Sequence, residues 1–289
     1  MTKQIALFEE EYAPAGPVRP FLKYPGGKSA LVPDLLAIMP SRFKAYREPF
    51  VGGGALYWAL SDRLRRGAHE VQLSDASPDL VVIYQAVQND VEKVICELSK
   101  YRYASEEFYT RRAEDPKTLS TVKAAARSIY LNRCCFNGLW RYNRKGVFNV
   151  PFGRYTNPTI CDADNLRACS MALQGKVTIG CLDYQEAVSG AMPGDLIYFD
   201  PPYAPASKTS NFTAYTAKGF GVKDQEALAL VFRGLVGKGV QCMLSNADVE
   251  VVRDLYAGFR VDRARVGRAI NSDVDRRGAV GEVIVRGGY

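Results

Sequence analysis

Leu196-Ile197-Tyr198-Phe199-Asp200-Pro201-Pro202-Tyr203 joins an unbroken apolar run to an acid, two prolines and a tyrosine. The run predicts a strand over 196–199, with Asp200 at its carboxyl end, where ligands of open α/β folds bind. Two prolines fix φ and remove two N–H donors. What faces a ligand is then a set of acceptors, the Asp200 carboxylate and the Pro201 carbonyl, beside the aromatic face of Tyr203. Such a site suits a planar ligand carrying an NH2 group. A rigid strand-ending turn accounts for the prolines but not for the flanking acid and tyrosine together.

Working outward, short apolar runs at 46–50, 71–74, 177–181, 240–245, 260–264 and 283–285 predict further strands, and helical patterns appear at 55–65, 79–89, 165–173, 224–238 and 249–256. Strands spaced by helices predict a mainly parallel α/β sheet. Near the amino terminus a Gly-rich turn leads into a short amphipathic helix over 28–38, ending before Pro40. Gly27-Lys28-Ser29 resembles the end of a phosphate-binding loop, but Leu22 stands where that motif needs glycine, which disfavours an NTPase. Phe50-Val51-Gly52-Gly53-Gly54-Ala55 follows one strand and opens a helix. Small residues there let the backbone approach a nucleotide, and they read equally as a tight strand-to-helix turn. Asp75 ends the next strand, where a carboxylate accepts hydrogen bonds from the ribose of an adenosine cofactor, and Tyr57 in place of the third fingerprint glycine speaks against NAD.

The 289 residues carry a net charge of +7, and 47% are hydrophobic, values of a folded chain long enough for one large domain with a substantial insert. The positive excess lies in the middle: residues 100–176 hold 14 Lys and Arg against 6 Asp and Glu, and no carboxylate occurs between Asp115 and Asp162. That stretch interleaves cations such as Arg133, Arg141, Arg144, Lys145 and Arg154 with Phe136, Asn137, Trp140, Tyr142 and Asn143. Cations for phosphates, with aromatics and amides for bases, are the ingredients of nucleic-acid recognition, whereas a solvated basic face is the plainer reading. Helical patterns at 91–101, 106–113 and 121–133, followed by an irregular loop, break the strand–helix rhythm. Residues 91–161 therefore read as a helical subdomain inserted into a core formed by 21–90 and 162–289, with 1–20 as a mobile tail.

One histidine, His69, leaves Ser/His/Asp, Cys/His and His-rich metal chemistry without a promising group. Seven cysteines without a Cys-x-x-Cys pair favour neither a zinc ribbon nor a disulfide framework, and read as reduced residues of a cytoplasmic chain. No apolar run approaches the ~20 residues of a membrane span, and the acidic amino-terminal stretch is unlike a secretion signal.

The chain from Phe21 onward resembles the Dam-type DNA adenine N6-methyltransferases of the D12 class. The resemblance rests on FLKYPGGK (21–28), EPFVGGGA (48–55), LSDASPDL (73–80), LNRCCFNGLWRYNRKGVFNVPFGRY (131–155), IYFDPPYAP (197–205) with NFTAY (211–215), and MLSNAD (243–248). It implies a Rossmann-like S-adenosylmethionine-dependent methyltransferase sheet with an inserted helical target-recognition subdomain. It implies that Tyr24, standing for a tryptophan, Lys28, Asp75 and Asp200 bind S-adenosylmethionine, to which the glycine turn adds Phe50, Gly52 and Gly54. Phe136, Asn137, Leu139, Arg141 and Arg154 are expected to read double-stranded DNA, with Lys23 near the flanking base and GATC as the site.

On that footing the target adenine flips out of the duplex, Tyr203 stacks on it, and Asp200 with the Pro201 carbonyl accepts the two N6 protons. Residues 204–221, with Asn211 and Phe212, are expected to close over the base, although Phe212 reads equally as core. Arg141 contacts guanine O6 and N7 or else a phosphate, and Arg276 and Arg277 add phosphate contacts. An RNA or protein amide methyltransferase and a catalytically silent DNA-binding regulator are the alternatives. Gln4-Ile5-Ala6-Leu7-Phe8 resembles the Gln-x-x-Leu-Phe peptides that dock on replication sliding clamps. A cytoplasmic, nucleoid-associated enzyme without a metal follows as the expectation.

Overall fold

The computed structural model describes residues 18–23, 28–143, 146–204, 220–264 and 281–289. Tyr24, Arg144, Lys145, Asn211, Phe212, Arg276, Arg277 and the Gln4-to-Phe8 peptide lie outside the described residues. The chain divides into a first unit of residues 1–27, 52–68 and 77–181 and a second of 28–51, 69–76 and 182–289. The first contains α2 (Ala55–Arg66), α3 (Pro78–Leu98), α4 (Ser105–Ala113), α5 (Thr121–Cys134), α6 (Ala163–Ala172) and β3 (Val177–Cys181). The second contains α1 (Val32–Ile38), β1 (Ala45–Glu48), β2 (Glu70–Asp75), α7 (Tyr184–Val188), β4 (Leu196–Phe199), α8 (Val222–Gly237), β5 (Gln241–Ala247), α9 (Glu250–Leu255), β6 (Arg260–Arg263) and β7 (Glu282–Gly287).

Seven strands run in the order β3-β2-β1-β4-β5-β7-β6. In the second unit β2, β1, β4 and β5 are mutually parallel, whereas β7 is antiparallel to both β5 and β6. The sheet is thus mixed: the mainly parallel expectation holds up to β5, and β7 reverses direction to enter between β5 and β6. Every residue of β4 is buried, as a parallel strand covered on both faces requires. Between β1 and β4 the chain order reverses, since β1 leads to β2 on one side and pairs with β4 on the other. Crevices at such a reversal, outside the carboxyl ends of the strands, are where open α/β sheets take ligands. These features make the architecture a Rossmann-like α/β fold.

Leu228, Phe232, Leu244, Val252, Tyr256 and Val285 build the core on one face of this sheet, the Phe232 ring meeting Tyr256 and Phe259 edge-on at 5.3 and 5.1 Å. In the first unit α3 packs along α5 and α6. The separate helical patterns at 79–89 and 91–101 join into α3, a single helix interrupted at Asp90, whose φ of −138° and ψ of 36° are non-helical. The predicted helix over 28–38 begins instead as a 3-10 turn, Lys28–Ala30, with α1 following from Val32. One short helix was not foreseen: α7, started by a capping box in which Asp183 and Glu186 exchange side-chain and backbone bonds.

Candidate active site

Parallel register positions the acid. Phe199 pairs with Leu244, so Asp200, one residue beyond β4, lies abreast of Ser245 on β5. Ser245 Oγ donates to Asp200 Oδ1 at 2.6 Å, and the buried ammonium of Lys28 reaches the same oxygen at 2.8 Å. Both donors therefore engage Oδ1, and among the described residues Oδ2 takes none. The Lys28 ammonium also sits 4.0 Å from the centroid of the Tyr203 ring, a cation–π contact that ties the tyrosine to the same cluster.

A second set of buried amides holds the two prolines. Gln225, on α8, donates to the Pro202 carbonyl at 2.8 Å and accepts from Asn246 Nδ2 at 3.0 Å. Asn246 Oδ1 in turn accepts the Ala204 and Ala247 N–H groups at 3.0 and 2.8 Å. Asn246 and Gln225 are both fully buried. With the Pro202 carbonyl occupied, the Pro201 carbonyl takes no donor among the described residues. Asp200 Oδ2 and the Pro201 carbonyl are thus left as acceptors beside Tyr203.

Elsewhere in the second unit, Asp75 ends β2, and Phe50 follows β1 with its ring stacked on Tyr184 at 5.4 Å and edge-on to Phe220 at 5.9 Å. The glycines stand in the first unit. Gly52 and Gly54 have φ of 48° and 65°, left-handed values that favour glycine. At Gly54 a Cβ would meet the Tyr84 hydroxyl at 2.7 Å and Trp58 Nε1 at 2.9 Å, so the protein's own side chains demand glycine there.

Also in the first unit, residues 135–155 form an irregular hairpin tied by isolated bridges between Cys135 and Phe152 and between Tyr142 and Phe148. At its start Phe136 is 45% exposed, and Asn137 adopts a left-handed φ of 52°, which asparagine tolerates better than most residues. Leu139 is half-buried, its carbonyl accepting from the Cys135 thiol at 3.3 Å. Asn132, fully buried, pairs with both backbone groups of Lys23, at 2.7 and 2.6 Å. The Lys23 ammonium lies 3.8 Å from the Tyr155 ring centroid; its pKa is lowered by burial first and by Arg133 second. Arg141 is exposed and steered by Asn149, whose side-chain oxygen accepts its Nε at 2.9 Å. Arg154 is exposed as well.

Trp140, Tyr142 and Phe148 brace the hairpin with edge-on contacts of 6.0 to 6.3 Å. The Tyr142 hydroxyl donates to Asp79, at the start of α3, at 2.6 Å, and burial with the Asp79 charge raises its pKa. Charges at the far end of α3 and on α4 pair internally, Lys100 with Glu97 at 2.7 Å and Arg111 with Glu114 at 2.9 Å. Arg141 and Arg154 have no ion-pair partner among the described residues.

Residues 24–270 match the family model of D12 class N6 adenine-specific DNA methyltransferases. The chain belongs to that family. It is 37% identical over 275 residues to the type II methyltransferase M1.LlaDCHI of Lactococcus lactis subsp. cremoris, covering 93% of this chain and 95% of the relative. Identity to the type II methyltransferase M.MjaIII of Methanocaldococcus jannaschii is 39% over 278 residues, covering 90% and 95%. The DNA adenine methylase of Escherichia coli K12 is 32% identical over 270 residues, covering 92% and 94%. The chain is an adenine-specific DNA methyltransferase, and DNA is its substrate.

In this methyltransferase the second unit gathers Lys28, Asp200 and Tyr203 into one cluster, and the first unit gathers Lys23, Asn137 and Leu139 around the hairpin base. No helix among the described residues is long and apolar enough to cross a membrane. Sequence reasoning missed Ser245, Asn246 and Gln225. For Ser245 and Asn246 the signal was the MLSNAD run ending a strand, where polar residues among apolar neighbours mark bonds made to another segment, whereas Gln225 in a helical pattern gave none.

The Asn246 bonds supply a first test. Asn246→Ala leaves two backbone N–H groups and the Gln225 amide without their partner, at a cost of about 1–3 kcal/mol for a buried unsatisfied group. The urea midpoint should fall accordingly; a midpoint equal to that of the unmodified enzyme would mean these bonds carry no weight.

Proposed function

We propose that this enzyme methylates the adenine of a short duplex site, GATC, with S-adenosylmethionine as donor. The observation that carries the reading is the pair of acceptors left at the end of β4. An exocyclic NH2 has two protons, and Asp200 Oδ2 with the Pro201 carbonyl supplies two acceptors beside an aromatic ring. The residues present also fit the donor: the carboxylates of Asp75 and Asp200 suit ribose hydroxyls and a positive sulfonium, and the Phe50–Tyr184 pair presents aromatic surface to an adenine. When bound, S-adenosylmethionine supplies an electrophilic methyl group. Tyr24, Lys28, Phe50, Gly52, Gly54, Asp75 and Asp200 would hold it.

In this reading Tyr203 stacks on the flipped adenine, which costs a few kcal/mol to unstack. Asp200 and Pro201 then hold the N6 protons in place, so that the nitrogen lone pair faces the methyl group, and orientation with electrostatics lowers the barrier. Residues 91–161 act as the target-recognition subdomain on a catalytic domain of 21–90 and 162–289. Phe136, Asn137, Leu139, Arg141 and Arg154 read the site, with Lys23 near the flanking base. The exposed Arg141 guanidinium, without an ion-pair partner among the described residues and oriented by Asn149, supports a bidentate contact to guanine. The expected tail of 1–20 does not extend to Arg19, whose backbone N–H and carbonyl both pair with the Asn165 side chain; we further assign the Gln4-to-Phe8 peptide before it as docking on a replication sliding clamp, with the enzyme acting on DNA in the cytoplasm.

Labelled methyl should pass from S-adenosylmethionine to a GATC duplex and not to one lacking that adenine. Asp200→Ala should lower kcat by at least on the order of 10²–10³-fold while duplex binding persists; near-normal turnover would remove Asp200 from the chemistry. Arg141→Ala should lose discrimination at one guanine, worth about 1–3 kcal/mol, where a phosphate contact would weaken all duplexes alike. Finally, Gln4→Ala with Phe8→Ala should abolish clamp capture in a pull-down, and unchanged capture would dismiss the tail assignment.

A further inference from the structure

We propose that Ser245, backed by Tyr198, is a positioning residue for methyl transfer, fixing the Asp200 carboxylate in the rotation that leaves Oδ2 for the N6 amino group. The proposal rests on the assignment of Asp200 above. Its basis is a chain of three groups, the buried Tyr198 and Ser245 and the partly buried Asp200, whose protons have only one possible order. Ser245 is fully buried on β5, and its Oγ lies 2.6 Å from Asp200 Oδ1. A carboxylate only accepts, and a serine hydroxyl has one proton, so that proton lies toward Asp200.

The Tyr198 hydroxyl lies 3.0 Å from the same Oγ. With the serine proton committed, Tyr198 must be the donor of this second bond. Tyr198 keeps its proton, because complete burial, and then the charge of Asp200, raise its pKa well above the usual value. The order Tyr198 to Ser245 to Asp200 is therefore forced. Ser245 then cannot rotate away without leaving the buried phenol without its acceptor and Oδ1 with Lys28 alone, and the carboxylate cannot turn without breaking two bonds, since Lys28 also donates to Oδ1.

The groups facing Asp200 are thus Lys28 from the 3-10 turn before α1, Tyr198 of β4, Tyr203 beyond it and Ser245 of β5; Glu48 of β1 acts on Tyr198 by its charge. A serine at this position also satisfies Tyr198, a purely structural duty. The two roles separate when the phenol is removed together with the serine.

The test compares Ser245→Ala with the double variant Ser245→Ala, Tyr198→Phe, by steady-state kinetics on the duplex, which separate kcat from KM, and by thermal unfolding. Loss of a hydrogen bond to a charged group predicts a kcat about 10- to 100-fold lower in both variants, with KM for duplex unchanged. The double variant should regain thermal stability, having no orphaned phenol, yet remain as slow as the single one. Recovery of normal kcat in the double variant, or a single variant that loses only stability, would overturn the proposal. Should Ser245→Ala fail to fold, the double variant alone decides by its kcat at unchanged KM. Asp200→Ala run in parallel distinguishes the failures: if it stays active, the Asp200 assignment is wrong, and if it is inactive while both Ser245 variants turn over normally, only the positioning role is lost.

Discussion

A lysine ammonium buried against the carboxylate at the end of a central strand is the constraint around which the second unit is arranged. Lys28 is 5% exposed, and burying such a charge is expensive unless a partner of opposite sign stands within bonding distance. Asp200 meets that need at 2.8 Å. The pair is weak evidence for stability, because an apolar pair of similar volume often serves a fold equally well. Its consequence is directional. By joining Ser245 on Oδ1, Lys28 decides which carboxylate oxygen is spoken for, and its contact with the Tyr203 ring sets the aromatic face beside the remaining one.

Much of this was legible along the chain because it is local. The apolar run at 196–199 announces a strand, an acid directly after a strand sits at the sheet edge, and Pro-Pro strips that edge of donors. The positions of β3 and β4 follow from such runs without adjustment. What stayed hidden depends on pairing between distant segments. Ser245 and Asp200 are 45 residues apart in sequence, and only the register between β4 and β5 brings them abreast. The reversal of β7 was hidden for the same reason: an apolar run does not declare the direction in which its neighbour will pass. At Asp90 the chain held two helical patterns in succession, and a single residue out of helical geometry lets both belong to one helix.

The basic segment shows how little a charge count says before partners are known. Some of its cations pair with carboxylates nearby in the chain, as Lys100 and Arg111 do, whereas Arg141 and Arg154 on the hairpin have no ion-pair partner among the described residues. Aromatic edges and the Tyr142–Asp79 bond brace that hairpin, so Arg141 projects from a supported strand-like segment rather than from a loose loop. Its Nε bond to Asn149 holds the planar guanidinium in one orientation.

The same economy of partners governs the strand end. Prolines cannot donate, so the only polar groups that Pro201 and Pro202 offer are carbonyls, and the fold treats the two differently. Gln225, held by Asn246, occupies the carbonyl of Pro202 and leaves that of Pro201 open. On the acid next to them, one oxygen receives two donors and the other receives none. Left over are two acceptors and an aromatic ring, without a competing donor among the described residues. A ligand bearing two protons on a planar nitrogen meets every remaining need, whereas a ligand presenting only acceptors would leave those oxygens desolvated and unbonded. The bonds the protein makes to itself thus decide, among the described residues, which oxygens at this strand end stay open to a ligand.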